Sequence, residues 1–299
     1  MKYNKQPIDI PQQIAILKSR GLKFRDEISA LDKLSSISYF RLASYYKHLE
    51  QDNISHQFYS KSYFEDIIDI YLFDKELRSI IFNSIHDFEI TLRTRIIHYF
   101  SLKYGAFWFL DESLFKSTTI HIDCLNKIDS EVKRSREDFI SEHFNVYDSP
   151  SLPPVWKTLE VASFGLLSKL YCNFADTEVK KKVANSFGLM QYTYLESWLK
   201  CASVLRNFCA HHSRIWNRRF ALKPQLPPKM PLHWLKNTNS TRPIKLYSQL
   251  CYLIYLEQTI NPNSNTKKRI YTLLQTQSTY TLKAMGFTKD WQKEPLWQL

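Results

Sequence analysis

The stretch SIIFNSIHDFEITLRTRIIHYF, residues 79–100, carries the clearest structural signal in the chain. Its apolar residues recur at steps of four, three, four and four, the spacing of one buried stripe on an α-helix; they are Ile81, Ile85, Phe88, Leu92 and Ile96. The pattern predicts a helix from about Tyr63 to Tyr104, with Gly105 as a natural stop. This stretch indicates a fold built from packed helices.

Helical patterns continue on both sides of it. Short helices are predicted within residues 11–50, where Gly21 is a C-cap, and further helices over 122–145, 155–173, 191–216, 243–259 and 265–279. Prolines interrupt the pattern at 148–154 and 223–231. Only five glycines occur in 299 residues, which argues against a Gly-rich phosphate loop, a dinucleotide-binding sheet and a turn-dense β-sandwich. The predicted fold class is all-α.

The charge balance points to a polyanionic partner. The chain has 41 Lys and Arg against 29 Asp and Glu, a formal net charge of +12, which is typical of proteins that meet nucleic acid or an anionic membrane surface. The first residues lack the apolar core of a signal peptide, and no apolar run approaches the ~18 residues of a spanning helix, so we expect a cytoplasmic protein. The five cysteines form no C-x-x-C pair and are expected to be reduced and mostly buried.

The predicted helix that begins near 191 separates into two sides when it is projected as far as Arg218. One side is apolar apart from one histidine: Trp198, Ala202, Leu205, Cys209, His212 and Trp216. The other side is polar: Glu196, Lys200, Ser203, Asn207, His211, Arg214 and Arg218. The projection therefore predicts that His212 and Trp216 support the core, whereas His211 faces a ligand.

The polar side suits chemistry on phosphate. Imidazole can donate or accept a proton near neutral pH, which suits His211 to proton transfer. The guanidinium groups of Arg206 and Arg214 can each bind two phosphate oxygens at once. Asn207 can orient the histidine or the substrate. RNA brings its own nucleophile, the 2′-hydroxyl, so no metal and no cofactor are expected. The same pattern is also found on any amphipathic surface helix, and this alternative stays open on spacing alone.

Other basic residues are candidates for RNA contact. Arg41, Tyr45 and Lys47 combine an aromatic face with positive charge, as single-stranded and looped RNA requires, although Tyr45 and Tyr46 can equally be packing residues. Arg218 and Arg219, together with the clusters 180–182 and 267–269, extend the expected phosphate-binding surface.

The string RNFCAHHSRIWNR at 206–218 resembles the signature of the AbiD/AbiF abortive-infection (Abi-like) family, and Arg206-Asn207-x-x-x-His211 resembles the motif of HEPN ribonucleases. Further matching pieces run in order from residue 20 to residue 291: Arg20–Leu22, Ile37–Leu42, Tyr71–Arg78, Phe88–Arg93, Tyr104–Trp108, Pro154–Trp156, Glu160–Gly165, Met285–Phe287 and Trp291. The resemblance thus covers nearly the whole chain.

The resemblance implies a HEPN-like helical bundle at 61–222 with additional helical segments at 1–60 and 223–299. It also implies antiviral defence by abortive infection, toxin-like action on RNA, similarity to the HEPN domains of type VI CRISPR effectors, and a structured noncoding RNA as partner. The expected function is that of a metal-independent RNA-binding endoribonuclease; the alternatives are a non-catalytic RNA-binding protein and, less favoured, a toxin acting at a membrane surface.

HEPN ribonucleases build one active site from two facing motifs. A second stretch with this spacing, Arg93 to His98, has threonine after the arginine and lies in the long helix, where Glu89 and Arg93 are expected to form a structural pair or to contact Arg206. A homodimer that brings two copies of Arg206 and His211 together is therefore the expected arrangement.

Overall fold

The computed structural model describes residue 2 and residues 6–52 and 54–299. These residues form thirteen α-helices, short 3₁₀ turns and no β-strand, so the all-α prediction is confirmed. The helices are α1 Ile10–Ser19, α2 Glu27–Ser36, α3 Tyr39–Tyr46, α4 Phe64–Tyr104, α5 Thr118–Arg134, α6 Asp138–Val146, α7 Val155–Thr158, α8 Phe164–Asn173, α9 Thr177–Ser186, α10 Tyr192–Ala210, α11 Leu246–Ile260, α12 Thr266–Gln275 and α13 Thr279–Ala284. The chain divides into two compact units, Met1–Arg78 and Ser79–Leu299, at a point within α4.

The first unit is organised by local caps and by one buried polar network. Asp9 closes a capping box at the start of α1, and Gly21 follows the same helix with φ of +88°, as predicted from the sequence. Tyr45 of α3 donates a hydrogen bond of 2.6 Å to Asp74, and Arg78 donates one of 3.0 Å to the Tyr45 hydroxyl. Arg78 and Asp74 also form a buried ion pair. This network joins α3 to the first turns of α4.

The second unit is built on the remainder of α4. The predicted stripe is confirmed, because all five of its residues, from Ile81 to Ile96, are buried. Gly105 has a φ of +82° and its N–H donates to the Ser101 carbonyl, which ends the helix where the sequence predicted. Phe88 packs edge-on against Phe164 of α8 and against Phe187, which follows α9, so two aromatic rings from later in the chain cover this part of the stripe.

Helices α5, α8, α9 and α10 pack around one another in this unit. Gly165 of α8 lies against α10, since a Cβ placed there would be in contact with the Ser203 hydroxyl at 3.4 Å. The prediction that the 180–182 cluster extends a phosphate-binding surface is wrong for Lys180, which is fully buried on α9 and forms an ion pair with Glu196 of α10. Lys180 also donates to the Phe174 carbonyl at 3.2 Å. The bonds of this buried lysine hold α9, a helix that the sequence pattern did not reveal, against α10.

Residues 223–299 contribute to the core of the same unit. Every residue of α11 from Leu246 to Glu257 is buried, so this helix is surrounded by protein on all sides. A cluster of four aromatic rings packs beside it: Tyr247, Phe287, Trp291 and Trp297. All five cysteines are free thiols and four of them are buried, as expected from their spacing.

Candidate functional site

The candidate site lies where α10 ends. The helix stops at Ala210, and the N–H of His211 donates to the Asn207 carbonyl at 3.0 Å. His212 then adopts a φ of +54°. Its N–H donates to the Cys209 carbonyl at 3.1 Å, and the N–H of Ser213 donates to the Phe208 carbonyl at 2.8 Å. These paired bonds define a Schellman motif, a common way of satisfying the last carbonyls of a helix.

A histidine at this position is unusual, because a side chain in the left-handed region costs roughly 1–2 kcal/mol. The chain places glycine at the equivalent position after three other helices, at Gly21, Gly188 and Gly286, each with positive φ and the same pair of hydrogen bonds. His212 is thus a backbone outlier inside the 206–218 string. Such outliers concentrate at functional sites.

The turn overturns part of the projected helix. The helix was predicted to reach residue 216, but the residues after Ala210 do not follow its two sides. The prediction that His212 joins the apolar core is wrong: both His211 and His212 are exposed. Trp216 is fully buried as predicted, together with Ile215, but it reaches the core from the loop. Burying these two side chains stabilises the conformation in which the chain turns back after Ala210, relative to one in which α10 continues outward.

Arginine side chains stabilise the loop that follows the turn. Arg214 donates to the Trp216 carbonyl at 3.0 Å, and Nε of Arg218 donates to the Arg214 carbonyl at 2.6 Å. The Arg218 guanidinium also lies 4.1 Å from the centre of the Phe208 ring, a cation–π distance. Both arginines therefore position the backbone, and their predicted role in phosphate binding stays a prediction.

Three polar side chains at the last turn of α10 have no such partner. Within the described part of the chain, Arg206, Asn207 and His211 form no side-chain hydrogen bond or ion pair. Arg206 is half-buried and its guanidinium lies 6.0 Å from the centre of the Phe82 ring, whereas Asn207 and His211 are exposed. A guanidinium, an amide and an imidazole thus lie together at one helix end, and none of the three has a hydrogen-bond or ion-pair partner within the described residues.

The comparison with protein families places the chain in a known group. The family model described as Abi-like protein matches residues 32–217, more than half of the chain, and its span contains Arg206, Asn207 and His211. The chain belongs to the Abi-like protein family. No curated protein and no solved structure matches it significantly. Within the described residues, no helix of this Abi-like protein is long and apolar enough to cross a membrane.

The second stretch with the same spacing is arranged differently in the Abi-like protein. Arg93 forms an ion pair of 3.1 Å with Glu89 and donates to the Ala162 carbonyl at 3.1 Å, and Glu160 lies 3.8 Å away. The expected structural pair of Glu89 and Arg93 is therefore present. His98 is exposed and contacts Tyr99 edge-on. Unlike Arg206, Arg93 has its guanidinium occupied by protein groups.

The predicted RNA-contact residues of the first unit have different environments. Arg41 and Lys47 are exposed. Tyr45 is 1% exposed and its hydroxyl is held by Asp74 and Arg78, so the prediction that its ring stacks on RNA is wrong. Burial also raises the pKa of the Tyr45 hydroxyl above its ordinary range.

One group of basic residues in the Abi-like protein comes together only in the folded chain. Nζ of Lys245 donates to Oδ1 of Asn217 at 3.0 Å, across 28 residues of sequence. Arg242 precedes Lys245 in the short basic stretch RPIK, which follows the proline-rich segment. The only signal in the sequence was this stretch, because its neighbours lie far away along the chain.

Proposed function

We propose that this Abi-like protein is a HEPN-type endoribonuclease that acts in abortive infection. The observation that carries the proposal is the last turn of α10, where the side chains of Arg206, Asn207 and His211 form no hydrogen bond or ion pair within the described residues. Polar groups left without protein partners on one helix end are available to a ligand. A guanidinium beside an imidazole suits a substrate that carries negative charge and exchanges a proton.

The proposed reaction uses the substrate's own nucleophile. The 2′-oxygen of a ribose attacks the adjacent phosphorus, the bond from phosphorus to the 5′-oxygen breaks, and the products are a 2′,3′-cyclic phosphate and a 5′-hydroxyl. The 2′-hydroxyl loses a proton as its oxygen attacks, and the leaving 5′-oxygen gains one. His211 transfers one of these two protons and solvent water the other, while Arg206 stabilises the negative charge that grows on the phosphate. Asn207 orients the histidine or the phosphate. No protein nucleophile is required.

The complete site is proposed to need two copies of the chain. One α10 supplies one set of Arg206, Asn207 and His211, and the stretch from Arg93 to His98 is a poor second set because Arg93 pairs with Glu89. A homodimer with two facing α10 ends supplies both sets. The native mass of the purified protein, measured with its absorbance ratio at 260 and 280 nm, reports both dimerisation and bound RNA.

Cleavage of end-labelled RNA in EDTA tests the catalytic assignment. His211→Ala is expected to abolish cleavage and cellular toxicity while the unfolding midpoint stays unchanged, because the imidazole is exposed and has no partner within the described residues. His98→Ala is the matched control, since it removes an exposed histidine that follows Arg93 with the same sequence spacing as His211 follows Arg206. Loss of cleavage in His98→Ala, or in His212→Ala but not His211→Ala, would refute the assignment.

A second candidate function is a non-catalytic ribonucleoprotein with a structured noncoding RNA. The single unoccupied set of site residues favours it, because binding phosphate needs no second set. Tight, salt-sensitive retention of RNA without cleavage by the homogeneous protein supports this candidate. Cleavage that depends on His211 supports the first.

A further inference from the structure

The loop after the candidate site is joined to the residues that precede α11. The N–H of Phe220 donates to the Ile244 carbonyl at 2.8 Å, which brings 217–220 alongside 242–245. Asn217 has a φ of +48°, and in this conformation its side-chain oxygen accepts the hydrogen bond from Lys245. The two segments therefore meet through one backbone bond and one side-chain bond.

The stem of Lys245 is also held in place. A Cβ on Gly286 would lie 2.5 Å from Cβ of Lys245, so the lysine packs directly against bare backbone. Gly286 follows α13 with a φ of +92°, which makes this approach possible. The N–H of Tyr247 donates to the Met285 carbonyl at 3.0 Å and fixes the start of α11 at the same place. The ammonium group is thus positioned by three parts of the chain.

The charges around Lys245 are all positive. Burial lowers the pKa of Lys245, and Arg219, Arg242 and Arg214 lower it further, while no carboxylate raises it. Arg219 and Arg242 are exposed and their guanidinium groups form no hydrogen bond or ion pair with the rest of the described chain. A group of neighbouring cations without a carboxylate among them is electrostatically unfavourable, and a bound anion relieves this repulsion.

We propose that Lys245, Arg219 and Arg242 form a phosphate-binding cluster for the backbone of the RNA strand, with Asn217 as the positioning residue that holds Lys245. This inference rests on the proposed action on RNA and specifies how the strand is held. Asn217 lies six residues after His211, so the cluster extends the candidate site along the chain. Arg242 and Lys245 lie beyond the residues matched by the Abi-like family model. The cluster therefore adds a binding element outside the matched region.

Salt-dependent binding of a fluorescent 2′-O-methyl RNA tests the cluster. The methyl group blocks the 2′-oxygen nucleophile, so binding is measured without cleavage. The variants are Lys245→Met, Asn217→Gly and the control Lys133→Met. Glycine tolerates the positive φ of residue 217 and leaves the charge unchanged, and Lys133 is an exposed lysine of α5.

We expect Lys245→Met to weaken binding for every RNA sequence and to reduce the slope of log affinity against log salt by about 1. Asn217→Gly is expected to reduce the slope as well, although it removes no charge, because Lys245 is no longer held in position. If Asn217 only stabilised the fold, the slope would not change. Lys133→Met keeps the wild-type slope.

Each other outcome counts against one proposal and leaves the other testable. Equal slopes for Lys245→Met and Lys133→Met, with wild-type protein that still binds, overturn the cluster but not the ribonuclease. A wild-type slope in Asn217→Gly overturns the positioning role. Loss of slope in Lys245→Met, in a protein that never cleaves unmodified RNA, supports the cluster and overturns the ribonuclease.

Discussion

His212 lies in the left-handed region of backbone conformation, and its replacement by glycine tests whether that strain is significant. The φ of +54° costs a side chain roughly 1–2 kcal/mol. Glycine removes this cost but gives the unfolded chain more freedom, which offsets about 0.4–1 kcal/mol. His212→Gly is therefore expected to raise the free energy of unfolding by about 1 kcal/mol, which corresponds to about 2 °C in the midpoint of thermal unfolding for a chain of this size.

Urea and thermal denaturation of the full chain measure this change, and Gly105→Ala is the matched control. Gly105 has a φ of +82° and nothing lies within 4 Å of a Cβ placed there. Alanine at this position therefore adds backbone strain without a clash, and we expect a loss of about 1 kcal/mol. The two variants should move stability in opposite directions.

A loss of stability in His212→Gly as large as that in Gly105→Ala refutes the reasoning. It would mean that the contacts of the exposed imidazole outweigh the cost of its backbone. A gain of stability with reduced RNA cleavage instead indicates that the histidine is kept at this turn for function, as expected where strain is stored at an active site.

Two further variants probe the buried charges of the second unit. Lys180→Met is expected to lower the free energy of unfolding by about 2 kcal/mol, because two buried carbonyls lose their donor while the half-buried Glu196 keeps only Lys116, at 3.8 Å. Lys181→Met, which removes an exposed neighbour, should change the free energy of unfolding by less than about 0.5 kcal/mol in the same urea titration. Although burial alone raises the pKa of Asp176, hydrogen bonds from Lys103, Tyr104 and a backbone N–H lower it to about 2. The ionised carboxylate therefore stabilises the fold above its unfolded pKa of about 3.9, and this stabilisation is lost as the pH falls through about 2. Asp176→Asn should therefore flatten the dependence of stability on pH within this window, and an unchanged dependence would contradict the role of these bonds.

The parts of the fold that were predicted correctly depend on neighbours within a few residues. The stripe on α4, the stop at Gly105 and the cap at Gly21 follow from helical spacing and from glycine's tolerance of positive φ. The prediction of α10 was wrong at its end because a histidine, not a glycine, adopts the left-handed conformation. Nothing in the local pattern distinguishes His212 from a residue that continues the helix.

Other predictions failed because burial depends on distant parts of the chain. Tyr45 was assigned to RNA, but Asp74 and Arg78 hold its hydroxyl inside the first unit. The sequence places Lys180 on a phosphate-binding surface, but Glu196 and two backbone carbonyls accept hydrogen bonds from its ammonium group inside the second unit. The type of a basic or aromatic residue does not by itself show whether its side chain is exposed or buried.

By itself the sequence determined that this protein is all-helical and which residues of α4 form its buried stripe. It also determined that Arg206, Asn207 and His211 share one region. These features follow from spacing along a helix. Only the tertiary structure decided where α10 ends, since the burial of Ile215 and Trp216 turns the chain back. It also decided that Asn217 meets Lys245, a contact between residues far apart in sequence. Hydrogen bonds and burial of this kind are set by non-local packing, which periodicity does not encode.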